Sequence, residues 1–147
     1  MARRHIVLSV AVFLVALVLP SSALASSTWT VKNNAGKVVG QVHRLEGSPG
    51  YFDVDDATGT ITGGLEANGL VMSADGGIHG LAARRSATRA VLHKSSSRTS
   101  RIIGKAAVSK HRWVVWKYSA GEWHRRGVVQ AGCPGKAAIA ALRILLW

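Results

Sequence analysis

The sequence predicts a mainly β protein: about five tandem antiparallel hairpins, forming a curved sheet or barrel, with a hydrophobic C-terminal helix packed in or against it. A recurring pattern, the turn chemistry inside each repeat and an abrupt change of character near the C-terminus carry that prediction. The pattern begins at Trp29-x-Val31, followed by Gly36-x-Val38-x-Gly40-x-Val42. It returns as Phe52-x-Val54, then Gly59-x-Ile61-x-Gly63-x-Leu65, with every offset preserved. A third copy keeps Val71, Gly76, Ile78, Gly80 and Ala82 at the same offsets. A single hairpin cannot bury its apolar face alone, so repetition at this length means one unit packed against its neighbours.

Before the repeats, Arg3 and Arg4 open a basic start, Ile6 to Leu19 form an almost unbroken apolar run, and Ala23-Leu24-Ala25 is a small-x-small cleavage site. This reads as a secretory signal peptide over 1–25, cut after Ala25. The run of about 14 residues is shorter than the ~20 a membrane-spanning helix needs. The protein is therefore expected to be secreted or periplasmic. Residues 26–135 form the hairpin domain, and 136–147 a helix belonging to that same domain.

Within each repeat, apolar side chains alternate with polar or small ones, the period of half-buried strands. The Asn33-Asn34-Ala35-Gly36, Asp55-Asp56-Ala57-Thr58-Gly59 and Ser73-Ala74-Asp75-Gly76 segments supply turns, because short polar side chains bond the nearby backbone. Gly40, Gly63 and Gly80 fall mid-strand, where glycine is costly unless the backbone bends or another element comes close. Later repeats are degenerate: Val91 to Val108 reads as a fourth hairpin with a longer serine-rich loop, and Trp113 to Val129 as a fifth. Trp113 and Val115 stand there as Trp29 and Val31 stand in the first. After Pro134-Gly135 the chain turns to helix formers, apolar nearly all round except for a stripe of Lys136, Ala140, Arg143 and Trp147. Such a helix must be buried. Cys133 is the one cysteine, so no intrachain disulfide exists; a buried, inert thiol is its first reading, an intermolecular bridge the second and a catalytic thiol, with no nucleophile motif around it, the third.

Tandem hairpins of the form aromatic-x-Val-x-Asp-x-x-Gly, followed by a hydrophobic C-terminal helix, resemble the tubby C-terminal-like barrels, which include the LURP-one-related and phospholipid-scramblase families. The resemblance implies a closed antiparallel barrel wrapped around the final helix, and headgroup binding through basic side chains. About ten strands are counted here against the twelve of that fold, and this chain carries an export signal where those families work mostly inside cells. The alternative is an open or stacked hairpin array with the helix across one face.

The formal net charge is +12, and it is lopsided. Residues 26–83 carry Lys32, Lys37 and Arg44 against Glu46, Asp53, Asp55, Asp56, Glu66 and Asp75. Residues 84–126 carry only Glu122 against a dense set of cations. A one-sided basic surface attracts polyanions through steering and counterion release. The candidate anion-binding residues are Arg84, Arg85, Arg89, Lys94, Arg98, Arg101, Lys110, Arg112, Lys117, Arg125 and Arg126. They interleave with Trp113, Trp116 and Trp123, rings suited to cation–π contacts if exposed and to a core if not.

Metal and catalytic chemistry have little support. His43, His79, His93, His111 and His124 show no ligand-pair spacing. Asp53, Asp55 and Asp56 near Gly59 lack the acid that closes an EF-hand loop, and no serine sits in a Gly-x-Ser-x-Gly elbow. The expectation is an exported, non-catalytic binding module for an anionic lipid or cell-envelope polymer, needing no cofactor and not a physiological nucleic-acid binder. A structural or protein-interaction module with incidental charge is the alternative, and a small hydrolase the third.

Overall fold

A computed structural model describes residues 27–147, so the expected signal peptide lies outside the described residues. Ten strands follow in order: β1 (Thr28–Asn33), β2 (Val38–Arg44), β3 (Phe52–Asp56), β4 (Ile61–Leu65), β5 (Leu70–Ser73), β6 (Ile78–Ser86), β7 (Arg89–His93), β8 (Ile102–Ser109), β9 (Arg112–Ser119) and β10 (Glu122–Val129). One helix, α1 (Gly135–Leu145), comes after them. Each strand pairs antiparallel with the next, and β10 pairs with β1, closing the sheet into an up-and-down barrel. The two degenerate repeats are thus real hairpins, β7–β8 and β9–β10.

The first three turns work as their side chains suggest. Asn33 Oδ1 accepts the backbone N–H groups of Ala35 and Lys37, each at 3.0 Å. Asp56 Oδ1 accepts those of Thr58 and Thr60 at 2.9 and 3.0 Å, and the Thr58 hydroxyl at 2.6 Å. In the third turn Asp75 accepts the Ser73 hydroxyl and the Gly77 N–H. Donors crowding a carboxylate favour its charged form. The Thr58 hydroxyl, foremost, holds Asp56 below the usual carboxylate range, and the Ser73 hydroxyl does the same for Asp75.

A ten-strand barrel is wider than the eight-strand size that wall side chains alone can fill. Here α1 fills it. Six successive helical residues, Ala137 to Leu142, are fully buried, which a helix lying on an outer face cannot achieve. The helix contacts strands around the barrel, from β2 through β10. Its alanines keep it thin, while Ile139 and Leu142 reach into a wall of Val31, Val42, Val54, Leu65, Val71, Leu92, Val115 and Val129. The helix entry is pinned by Trp113, whose buried indole N–H donates to the Cys133 carbonyl at 2.6 Å. A buried indole N–H needs such a partner.

The mid-strand glycines now have a cause. In each hairpin a glycine stands opposite an inward residue of its partner strand: Gly40 opposite Val31, Gly63 opposite Val54, Gly80 opposite Val71, Gly104 opposite Leu92 and Gly127 opposite Val115. Beside every one of these pairs the register slips by one residue. The extra residues are Val39, Thr62, His79, Ile103 and Arg126, each immediately before its glycine. Bulges bend strands and re-aim side chains. All five lie toward the barrel end where α1 finishes. A Cβ on Gly40 would sit 2.6 Å from Leu145 Cδ1, on Gly63 2.5 Å from Ile144 Cδ1, and on Gly127 2.9 Å from Leu146 Cδ1.

Cys133 is 4% exposed and packs in the core. Burial pushes its thiol up to about 12, with nearby Arg44 opposing only in part. This is the inert state. An intermolecular bridge would require the loop before α1 to leave the barrel mouth. In the folded protein Cys133 is expected to resist a disulfide-exchange reagent at pH 8 and to react fully once denatured; fast labelling of the native state would contradict this burial.

Gly40→Ala is expected to cost about 1–3 kcal/mol, the usual range for overpacking, since its Cβ would also meet the Asp55 carbonyl oxygen at 2.0 Å. Gly104→Ala should cost less, because its Cβ meets only side-chain atoms of Leu142 and Leu92, at 3.0 Å and beyond. Denaturant unfolding of both variants checks the order; a reversed order would contradict the backbone-contact account.

Candidate anion-binding surface

Every nominated cation lies on β6–β10 or in their connections, so one arc of the barrel is basic. Alternating strand direction then divides them. Arg84 and Arg85 on β6, Arg89 on β7, Lys110 in the β8–β9 turn and Arg112 on β9 gather toward the end where α1 enters. Lys94, Arg98 and Arg101 in the β7–β8 loop, Lys117 on β9, and Arg125 and Arg126 on β10 gather toward the end where it finishes. All are exposed except Lys117 and Arg126, which are half-buried.

These cations lack acidic partners. Among the described residues the ion pair within 4.0 Å is His43 Nε2 with Asp55 Oδ2 at 2.8 Å, on the other side of the barrel. Arg84 Nε donates only to the backbone oxygen of Ser86, at 3.1 Å. Arg126 is committed elsewhere: its Nε donates to the Leu146 carbonyl at 2.6 Å and its Nη2 to the Trp147 backbone oxygen at 3.0 Å. It thereby satisfies the carbonyl of Leu146, the C-cap of α1, and ties Trp147 beyond it to β10. The remaining cations keep their full field.

The three tryptophans divide between core and surface. Trp113 is a core residue at 4% exposure, Trp116 is half-buried on the outer wall, and Trp123 is 38% exposed. Lys105, which the charge pattern alone did not single out, holds its Nζ 5.2 Å from the Trp116 ring centre and 4.4 Å from that of Trp123. Tyr118 packs edge-on against Trp123, ring centres 5.2 Å apart. Beside them an outer groove of about 420 Å³ runs between Arg85, Arg89, Lys105 and Trp116, over Val91 and Ala107.

A second concavity, about 350 Å³, opens where α1 finishes. Lys94 and Arg101 come to it from the β7–β8 loop, His79 from the β6 bulge, Tyr118 from β9, and Arg143 and Trp147 from the helix end. Arg143 Nη2 donates to His79 Nδ1 at 3.0 Å, which requires the ring's lone pair on that nitrogen. The Trp147 ring carries Arg143 at 4.8 Å and Lys117 at 4.5 Å. Burial pulls the Arg143 guanidinium below its ordinary value. Only the polar stripe of the helix marked Arg143 and Trp147 in the sequence; that His79 would join them depends on the bulge.

On the opposite wall, the Thr28 hydroxyl lies 3.0 Å from His43 Nδ1, and His43 Nε2 comes within 2.8 Å of Asp55 Oδ2 without a hydrogen bond, so the three residues line up across three neighbouring strands. Asp55 Oδ1 is buried without a hydrogen-bond partner. Among the described residues no three His, Cys, Asp or Glu side chains form a group that could hold a metal, and no helix is long and apolar enough to cross a membrane. Comparison with models of known protein families, with curated proteins and with solved structures gives no match.

Trp123 should account for most of the tryptophan emission that iodide quenches in the native protein. Trp123→Phe is expected to remove that fraction and Trp113→Phe to leave it; the opposite result would place Trp113 outside the core.

Proposed function

We propose that the protein is an exported, non-catalytic binding module for an anionic component of the cell envelope, phospholipid headgroups or an acidic wall polymer, contacted through the basic arc of β6–β10. The observation that carries this reading is the absence, among the described residues, of any acidic partner within ion-pair distance of the arc's cations. Like charges held together on one side of a fold repel one another, and a polyanion relieves that repulsion while releasing its own counterions. Exposed Trp123 beside Lys105 adds a ring surface for the apolar part of such a ligand. The closed barrel around a helix is compatible with the tubby-like resemblance, which favours headgroups among the candidate anions.

One observation favours a different reading. The Thr28–His43–Asp55 row has the order of a hydroxyl nucleophile, base and carboxylate, although His43 Nε2 makes no hydrogen bond to Asp55. It also serves simply as a cross-strand tie, and turnover of a generic ester substrate that His43→Ala abolishes would be needed to prefer the hydrolytic role.

Co-sedimentation with anionic vesicles, neutral vesicles and purified wall material, at low and high salt, tests the binding role. Retention by anionic material alone, lost at high salt, is expected. Reversing Arg84, Arg85 and Arg89 to glutamate should weaken it, since each lost phosphate-type contact also lowers the salt slope. No retention on any material would leave the charge incidental and point to protein partners.

A further inference from the structure

We infer that the cleft at the end of α1 is a discrete binding site for one tetrahedral oxyanion, a phosphate or sulfate group, with Arg143 as its innermost ligand and Lys94 and Arg101 closing over it. The inference rests on the anion-binding reading above and narrows it to a place and a group. Three cations reach this cleft from two elements far apart in sequence, and no carboxylate side chain lines it. A volume near 350 Å³ suits a compact anion together with its water or the start of a larger ligand.

Arg143 distinguishes this cleft from the rest of the arc. Exposed arginines lose little by lacking a partner, because water solvates them. Arg143 is half-buried, its guanidinium pays part of a desolvation cost, and its polar contact is to an uncharged nitrogen of His79. A partly desolvated cation without an acidic partner is a costly feature, and an entering anion would offset it. The group is also held in place. It stands on a helix locked inside the barrel, braced by His79 on one side and by the Trp147 ring on the other. That ring holds Lys117 as well, so a fourth positive charge stands nearby. Arginine donors in a fixed plane match tetrahedral oxyanions through paired hydrogen bonds. Lys94 and Arg101 flank the serine-rich loop and are tied together at its base, where the Lys94 N–H donates to the Arg101 carbonyl at 2.8 Å. Tyr118 and Trp147 provide the wall against which the ligand's remainder would lie.

Titration of the purified protein with inorganic phosphate and with sulfate, followed calorimetrically, tests the site. Binding is expected, weakened about tenfold or more by Arg143→Met and by the pair Lys94→Gln/Arg101→Gln, as for loss of a charge-assisted hydrogen bond. Lys37→Gln, in the exposed β1–β2 turn outside the basic arc, should leave it unchanged. The exposed Lys94 and Arg101 pair keeps the test valid if Arg143→Met disturbs the helix. Binding indifferent to both cleft variants overturns the assignment. No binding of either ion, alongside salt-sensitive retention on phosphatidylglycerol–phosphatidylcholine vesicles or polygalacturonate, overturns the cleft and leaves the basic arc standing. No binding to any of these overturns both. If the ions bind, competition by phosphate against the vesicles identifies a lipid headgroup as the source, and phosphate binding without vesicle retention identifies a free or polymer-borne group.

Discussion

The structure depends on the close approach of a thin helix to a barrel wall that has been pared to glycine where the two meet. A ten-strand barrel leaves a bore that wall residues cannot fill unaided, and an unfilled bore forfeits the packing that stabilises a core. The alanines of α1 reduce the plug to nearly its backbone, and Gly40, Gly63 and Gly127 let Leu145, Ile144 and Leu146 touch strand backbone. The same glycines sit beside the register slips, so the device that admits the helix also bends the strands that enclose it. Packing and curvature are here one constraint.

That coupling explains what the residues disclosed in advance. The offsets from Trp29 and Phe52 reveal hairpins because turn chemistry and strand period are local, and the Asn33 and Asp56 turns behave as such side chains dictate. Mid-strand Gly40, Gly63 and Gly80 signalled curvature or a close neighbour, and both proved present. Closure was less legible: the pairing of β1 with β10 joins Val31 to Val129, a contact that no local pattern encodes. The site was legible only as a charge excess. Sequence spacing treats Arg89 and Lys94 as neighbours, whereas one strand's length sends them to opposite ends of the barrel. Arg143 and His79 meet because a bulge and a helix end converge, and neither was among the nominated anion-binding residues.

The bulged positions show how one repeat acquires different work at each use. Val39 and Ile103 pack half-buried against the core, the Thr62 hydroxyl bonds the Val54 carbonyl, His79 meets Arg143, and Arg126 holds the residues that follow the helix. Geometry is shared while chemistry varies, so a polar rim arises around an apolar plug without disturbing the wall. The basic arc is likewise an elaboration of the later hairpins, which keep the inward Leu92 and Val115 of their predecessors while changing what faces water.

The order of elements along the chain carries a kinetic consequence. Every strand precedes the helix that they surround, so the segment that organises the interior is the last of the described elements to be made. Until α1 arrives, ten strands have neighbours to pair with but nothing to close upon, and their inward faces remain wet. A chain emerging from a ribosome would thus stay pliable for most of its synthesis. Commitment to the native state then falls to a dozen late residues, so that folding waits on the last described element.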